Sequence, residues 1–166
     1  MDWASILDTW GDKLFLYAKQ WAQADAEAAD IVQEAFVQLW HQDTRRPIPS
    51  DEIASYCFTA VRHTALDHLR SSQRRSVREA KAGAWLYEVG PMFEHSVEQS
   101  EEQVAMEKAL TMLPSDQREI LTLKIWGNFT FKEISTTVGI SQNTAASRYR
   151  LALTSLRNIL SEGEKQ

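Results

Sequence analysis

Cysteine is all but missing from this chain: Cys57 stands alone among 166 residues. A single thiol closes no internal disulfide and builds no cysteine-cluster zinc site, which fits a reducing cytoplasm and excludes a secreted disulfide scaffold; Cys57 reads as a small helix-packing residue. Glycine and proline are scarce as well, at 6 and 4. No glycine-rich loop is available to cradle a phosphate, and no nucleophile stands with a base, so neither enzyme chemistry nor a cofactor is expected. Nowhere do about 18 apolar residues run together, and no basic start precedes an apolar stretch. Neither a membrane span nor a signal peptide is expected, and the chain reads as soluble and cytoplasmic. His63 and His68 lie five residues apart, a poor spacing for sharing one helical face, so no metal site is expected.

Charge is present in both signs but unevenly placed. The total is −5, which looks wrong for a nucleic-acid binder. Residues 1 to 60 carry 4 Lys and Arg against 10 Asp and Glu, whereas residues 61 to 87 carry 6 against 2. The pattern then repeats, with 1 against 7 over residues 88 to 117 and 6 against 2 over residues 118 to 157. Two basic blocks held apart by acidic ones suit two nucleic-acid contacts, with the acidic blocks left for another partner; ordinary surface charge is the plainer alternative.

Apolar spacing predicts an all-α chain in two small domains joined by a flexible linker. Trp3, Leu7, Trp10, Leu14, Tyr17 and Trp21 form the stripe of an amphipathic helix. A second helix is expected from Asp25, as cap, to Trp40, with Ile31, Val32, Ala35, Phe36 and Leu39 inward and Asp30, Gln33, Glu34 and Gln38 on an outer acidic face. Pro47 and Pro49 interrupt the pattern, and Ser50 or Asp51 is expected to cap a third helix running to about Arg70. Its later part, with Arg62, His63, Thr64, Asp67, His68 and Arg70 leading to Arg74, Arg75 and Arg78, is polar and partly cationic. Regular patterning fades from Ser71 to about Ser100, which reads as a linker, although Trp85, Leu86, Tyr87, Met92 and Phe93 are apolar enough to dock. The expected division is therefore 1–75, a linker over 76–100, and a second domain over 101–166. That domain opens with a stripe of Met106, Ala109, Leu110 and Leu113, followed by Pro114 at the first position of the next helix.

The segment from Thr130 to Arg157 has the spacing of a helix-turn-helix. Ile134 and Val138 lie one turn apart, Gly139 is free to take the positive φ that ends a helix abruptly, and Ser141 is placed to cap the next one. Small Ser135 leaves room for the approach, while Ile140, Ala145 and Tyr149 turn inward. Gln142, Asn143, Thr144, Ser147 and Arg148 are left for the outer side, where a DNA-reading helix would meet base edges. A plain packing corner remains the alternative, but the crowding of base-pairing side chains at one helix start argues for DNA.

The strings DIVQEAFVQLW, SYCFTAVRHTALDHLR and ALTMLPSDQREILTLKIWGNFTFKEISTTVGISQNTAASRYRLALTSLR resemble, in that order, the bacterial RNA polymerase sigma factors of the extracytoplasmic-function type. The resemblance spans nearly the whole chain and implies a transcription initiation factor that binds the polymerase core and directs it to promoters. It implies that Asp30, Gln33, Glu34 and Gln38 face the clamp helices of the polymerase largest subunit. It implies that Tyr56, Arg62, His63, Thr64, Asp67, His68 and Arg70 hold the melted -10 element, although Tyr56 is equally placed for the core. Gln142, Asn143, Thr144, Ser147 and Arg148 would read the -35 element in duplex form, with Lys132 and Arg150 on phosphates. An anti-sigma factor is an implied partner, and a linker bearing Glu94, Glu98, Glu101 and Glu102 would enter the polymerase cleft toward the RNA exit path. The chain departs from the family pattern at His63, where Asn is usual, and at Ala146 and Leu151, where cations are frequent. Fewer cations release fewer counterions, so DNA binding without polymerase is expected to be weak. A sigma-like decoy that only captures an anti-sigma protein is the alternative.

Overall fold

A computed structural model describes residues 1–79 and 100–165, which fold as seven helices with no strand among the described residues. The chain divides into two compact units, Met1–Glu94 and His95–Gln166. In the first, helices α1 (Trp3–Ala18), α2 (Asp25–Arg45) and α3 (Ile53–Glu79) pack against one another. The second holds α4 (Glu101–Met112), α5 (Ser115–Ile125), α6 (Phe131–Val138) and α7 (Gln142–Glu164).

The core of the first unit is aromatic. Tyr17 and Phe58 are fully buried with ring centroids 5.2 Å apart, and the rings of Trp21 and Trp10 meet them edge-on at 4.9 and 6.3 Å. Ile31, Val32, Ala35 and Leu39 of α2 are buried as well, as are Cys57, Val61 and Ala65 of α3. Burial pushes the Cys57 thiol up to about 12, because the thiolate loses its hydration inside an apolar core.

Helix ends differ from the sequence expectation in several places, α2 itself running to Arg45 rather than stopping at Trp40. Asp25 is the first helical residue rather than the cap of α2; its carboxylate meets Lys19 at 3.4 Å, and Glu27 reaches back to accept from the Gln23 N–H at 2.7 Å. Helix α3 begins two residues after Asp51, because Ser50 and Asp51 lie in a turn where the Glu52 N–H donates to the Pro49 carbonyl. It also continues past Arg70 to Glu79, since Ser71 to Glu79 contains no glycine or proline to stop it. Pro114 is the N-cap of α5, with φ −53° and ψ 144°, one position earlier than expected.

Arg118 ties α5 to the end of α4. Its Nε donates to the Leu110 carbonyl at 2.9 Å, and its Nη2 donates to the carbonyls of Thr111 and Leu113 at 3.0 and 2.8 Å. Those acceptors lie at the end of α4, where carbonyls run short of helical partners; that of Leu110 also accepts from the Leu113 N–H at 3.2 Å. Burial lowers the pKa of this guanidinium from its ordinary value. Met106, expected in the α4 stripe, is exposed, while Ala109, Leu110 and Leu113 are buried against Leu121, Ala152 and Leu156.

Candidate nucleic-acid interface

The corner in the second unit is built almost entirely from local hydrogen bonds. Thr130 Oγ1 accepts from the Glu133 N–H at 3.1 Å, and the Glu133 carboxylate accepts from the Thr130 N–H at 2.7 Å, a reciprocal capping box that starts α6. Gly139 ends the helix at φ 79°, in the left-handed region that a side chain rarely adopts. Ser135 Oγ then donates to the Ile140 carbonyl at 2.5 Å, and Ser141 Oγ accepts from the Thr144 N–H at 3.0 Å to begin α7. Ala145 is fully buried beneath the turn and the rings of Phe131 and Tyr149 meet at 5.7 Å, so the two helices are locked at their corner.

This geometry leaves Gln142, Asn143 and Ser147 exposed at the start of α7, with Lys132 and Arg150 exposed on the flanks. Thr144 and Arg148 are more engaged than their spacing suggested. The Thr144 hydroxyl accepts from Ser141 Oγ at 2.8 Å, and Arg148, 33% exposed at its side chain, lies 3.6 Å from Asp116 of α5. Asp116 was not singled out from sequence; its place in the first turn of α5 gives no local hint of a partner on α7.

In the first unit α2 and α3 enclose an open cleft of about 350 Å³, lined in part by Gln38 and Gln42 of α2 and by Ser55, Tyr56, Thr59 and His63 of α3. Tyr56 is half-buried at its wall and His63 is exposed at its rim. Buried Ile48, whose N–H donates to Asp43 Oδ1 at 2.8 Å, pins the proline-bearing connection between the two helices. Gln42, Ser55 and Thr59 were missed in the sequence, although Gln42 stands one turn after Gln38. Gln38 thus borders the cleft as well as donating to Glu34 at 3.4 Å, so it does not belong to the outer face alone.

Thr64 requires a correction. It is 1% exposed and its hydroxyl finds no hydrogen-bond partner, so it is part of the core and out of reach of a nucleic acid in this conformation. Its position three and seven residues beyond Val61 and Cys57 puts it on the buried stripe. Arg62 is half-buried, whereas Asp67 and Arg70 are exposed and pair with each other at 3.4 Å. His68 does not stand free: its Nε2 lies 2.6 Å from Glu34 Oε2 of α2.

Asp30, Gln33 and Glu34 are exposed on the outer face of α2, as expected. Two large apolar side chains accompany them, Val37 at 54% and Trp40 at 51% exposure, which gives that face a character suited to a protein partner. Of the acidic linker residues, Glu101 and Glu102 instead form the exposed first turn of α4, while Glu94 and Glu98 lie outside the described residues. So do Trp85, Leu86, Tyr87, Met92 and Phe93, and the side chains of Arg75 and Arg78. Among the described residues no cluster of metal-ligating side chains occurs, and no helix is long and apolar enough to cross a membrane.

Comparison with known proteins covers both units. Residues 6–75 match the model of Sigma-70 region 2, and residues 103–156 match that of Sigma-70, region 4. The ECF RNA polymerase sigma factor SigL of Mycobacterium tuberculosis is 26% identical over 163 residues, which is 95% of this chain and 88% of that protein. The ECF RNA polymerase sigma factor RpoE of Cereibacter sphaeroides is 24% identical over 82% of this chain and 74% of its own length. Among solved structures, the sigma factor RpoE of Bartonella quintana, crystallised in complex with the anti-sigma factor NepR, has a similar fold. It aligns with a TM-score of 0.64 at 24% identity, over 96% of this chain and 97% of that one.

Proposed function

The chain belongs to the extracytoplasmic-function class of bacterial RNA polymerase sigma factors, and from that premise we propose how its two units divide promoter recognition. Members of this class are regulatory initiation factors, not enzymes; they bring RNA polymerase to particular promoters and act with it in the cytoplasm. In the proposed division the α6–α7 corner enters the major groove of the -35 element. Gln142, Asn143 and Ser147 meet base edges there, Arg148 reaches a base or phosphate once it leaves Asp116, and Lys132 and Arg150 hold phosphates. Thr144 serves mainly to fix the start of the helix, its hydroxyl being taken by the cap.

The first unit takes the melted -10 element. An unstacked base fits the cleft between α2 and α3, where Tyr56 offers a ring face and His63, Gln38 and Gln42 offer hydrogen-bonding groups. Arg62, His68, Arg70 and the exposed Asp67 border the strand's path. Polymerase meets the outer face of α2 through Asp30, Gln33 and Glu34, with Val37 and Trp40 supplying apolar contact. The co-crystal of the Bartonella relative with an anti-sigma factor supports an anti-sigma partner for this chain too. Glu101 and Glu102 belong to the first turn of α4 rather than to a tether.

The observation that carries this reading is the open row of Gln142, Asn143 and Ser147 on a capped corner, in a chain that also matches region 2. Transcription with purified polymerase core, on promoters selected from a randomised library, tests it. Gln142→Ala and Asn143→Ala should relax selection in the upstream element only, and His63→Ala should relax it in the downstream element only. A chain that captures an anti-sigma protein but yields no transcript on any selected template would instead be a decoy.

A further inference from the structure

Glu34 and His68 stand on different helices, 34 residues apart in sequence, yet their side chains meet at 2.6 Å. One belongs to the face assigned to polymerase and the other to the face assigned to DNA. The contact is not a core feature: the Glu34 side chain is 51% exposed and that of His68 is 29% exposed. Gln38 holds the other carboxylate oxygen only loosely, at 3.4 Å. A half-exposed pair of this kind is weak enough to exchange partners without disturbing the fold.

We propose that Glu34 is a shared residue that changes partner: His68 occupies its carboxylate in the free protein, and a polymerase cation takes it on docking, releasing the His68 imidazole to promoter DNA. This rests on the reading of α2 and α3 given above. The free protein then offers DNA a ring whose outer nitrogen is already engaged, beside a carboxylate that repels phosphate. Docking of α2 removes both obstacles in a single event. Because the same carboxylate is needed on both sides, polymerase affinity and DNA affinity are thermodynamically linked, and DNA must strengthen polymerase binding by the factor that polymerase strengthens DNA binding. The size of the linkage is bounded by the worth of an exposed pair, about two- to fivefold.

The test uses the full chain, with and without polymerase core, binding a fluorescent promoter fragment that carries an unpaired -10 region and was selected with the holoenzyme. Glu34→Gln should raise DNA affinity of the free chain about two- to fivefold while lowering core affinity. Asp8→Asn, an exposed neutralisation on α1, controls for net charge and should give less than this gain. His68→Gln should keep or raise core affinity, lower DNA affinity of the holoenzyme, and abolish the extra gain when combined with Glu34→Gln. The His68 ring nitrogen resonances should also move when core binds the wild type. If Glu34→Gln lowers core affinity but binds DNA no better than Asp8→Asn, the exchange is overturned and the docking face stands. If core affinity is unchanged by Glu34→Gln, the docking face and the exchange both fail.

Discussion

The two units reach their functional faces by opposite routes. In the second, a corner of about a dozen residues is set by neighbours in sequence: the Thr130 box, the left-handed Gly139 and the Ser141 cap. In the first, the cleft exists only because two long helices pack along their length, with Gln42 on one facing Thr59 and His63 on the other. A site of the first kind is robust to distant change and fragile at single backbone positions. A site of the second kind tolerates changes at its rim and depends on the core behind it.

That contrast is broken most sharply in the core of the first unit. Phe58→Ala, which removes a fully buried ring between Tyr17 and Trp10, should cost about 3–5 kcal/mol in urea unfolding and open the cleft with it. The DNA contacts proposed for the α6–α7 corner should be unaffected, as footprinting of the upstream element would reveal. Next in size, Arg118→Ala deletes the three bonds to the end of α4 and should destabilise the second unit by about 2–4 kcal/mol. Lysine, lacking the planar fork, should restore little of it.

Gly139 tests the local side of the comparison. A Cβ there would meet nothing within 4 Å, so any cost comes from φ alone. Gly139→Val should lose about 1–2 kcal/mol and Gly139→Asn much less, measured by thermal unfolding. An effect that shows only at alkaline pH comes from Cys57, whose pKa is raised by burial to about 12. A thiol that ionises more readily unfolded than folded gives stability that is complete below the unfolded value and is lost as pH rises toward the folded one. By pH 10 the first unit should have lost about 1.4 kcal/mol on this account. Cys57→Ala should remove that slope; an unchanged alkaline slope would mean the thiol is solvated.

Legibility in the sequence follows the same division. Gly139 and Ser141 announced the corner because the hydrogen bonds that make it span only a few residues. The aromatic stripe from Trp3 to Tyr17 announced a packed first helix for a similar reason, since its period is local. The cleft was legible only on the α3 side, through Tyr56 and His63, because Gln42 and Thr59 acquire meaning only when α2 and α3 are in register. Thr64 was misread by its polar neighbours, although counting turns from Cys57 and Val61 would have put it inside. The meetings of Glu34 with His68 and of Asp116 with Arg148 bridge helices separated by turns or whole elements, and no spacing rule reaches that far.

The clasp of Arg118 on the last turn of α4 has a mechanical consequence. Three acceptors on one rigid, planar group must all be strained together if α5 swivels on α4, so the proline-bearing joint acts as a stop rather than a bearing.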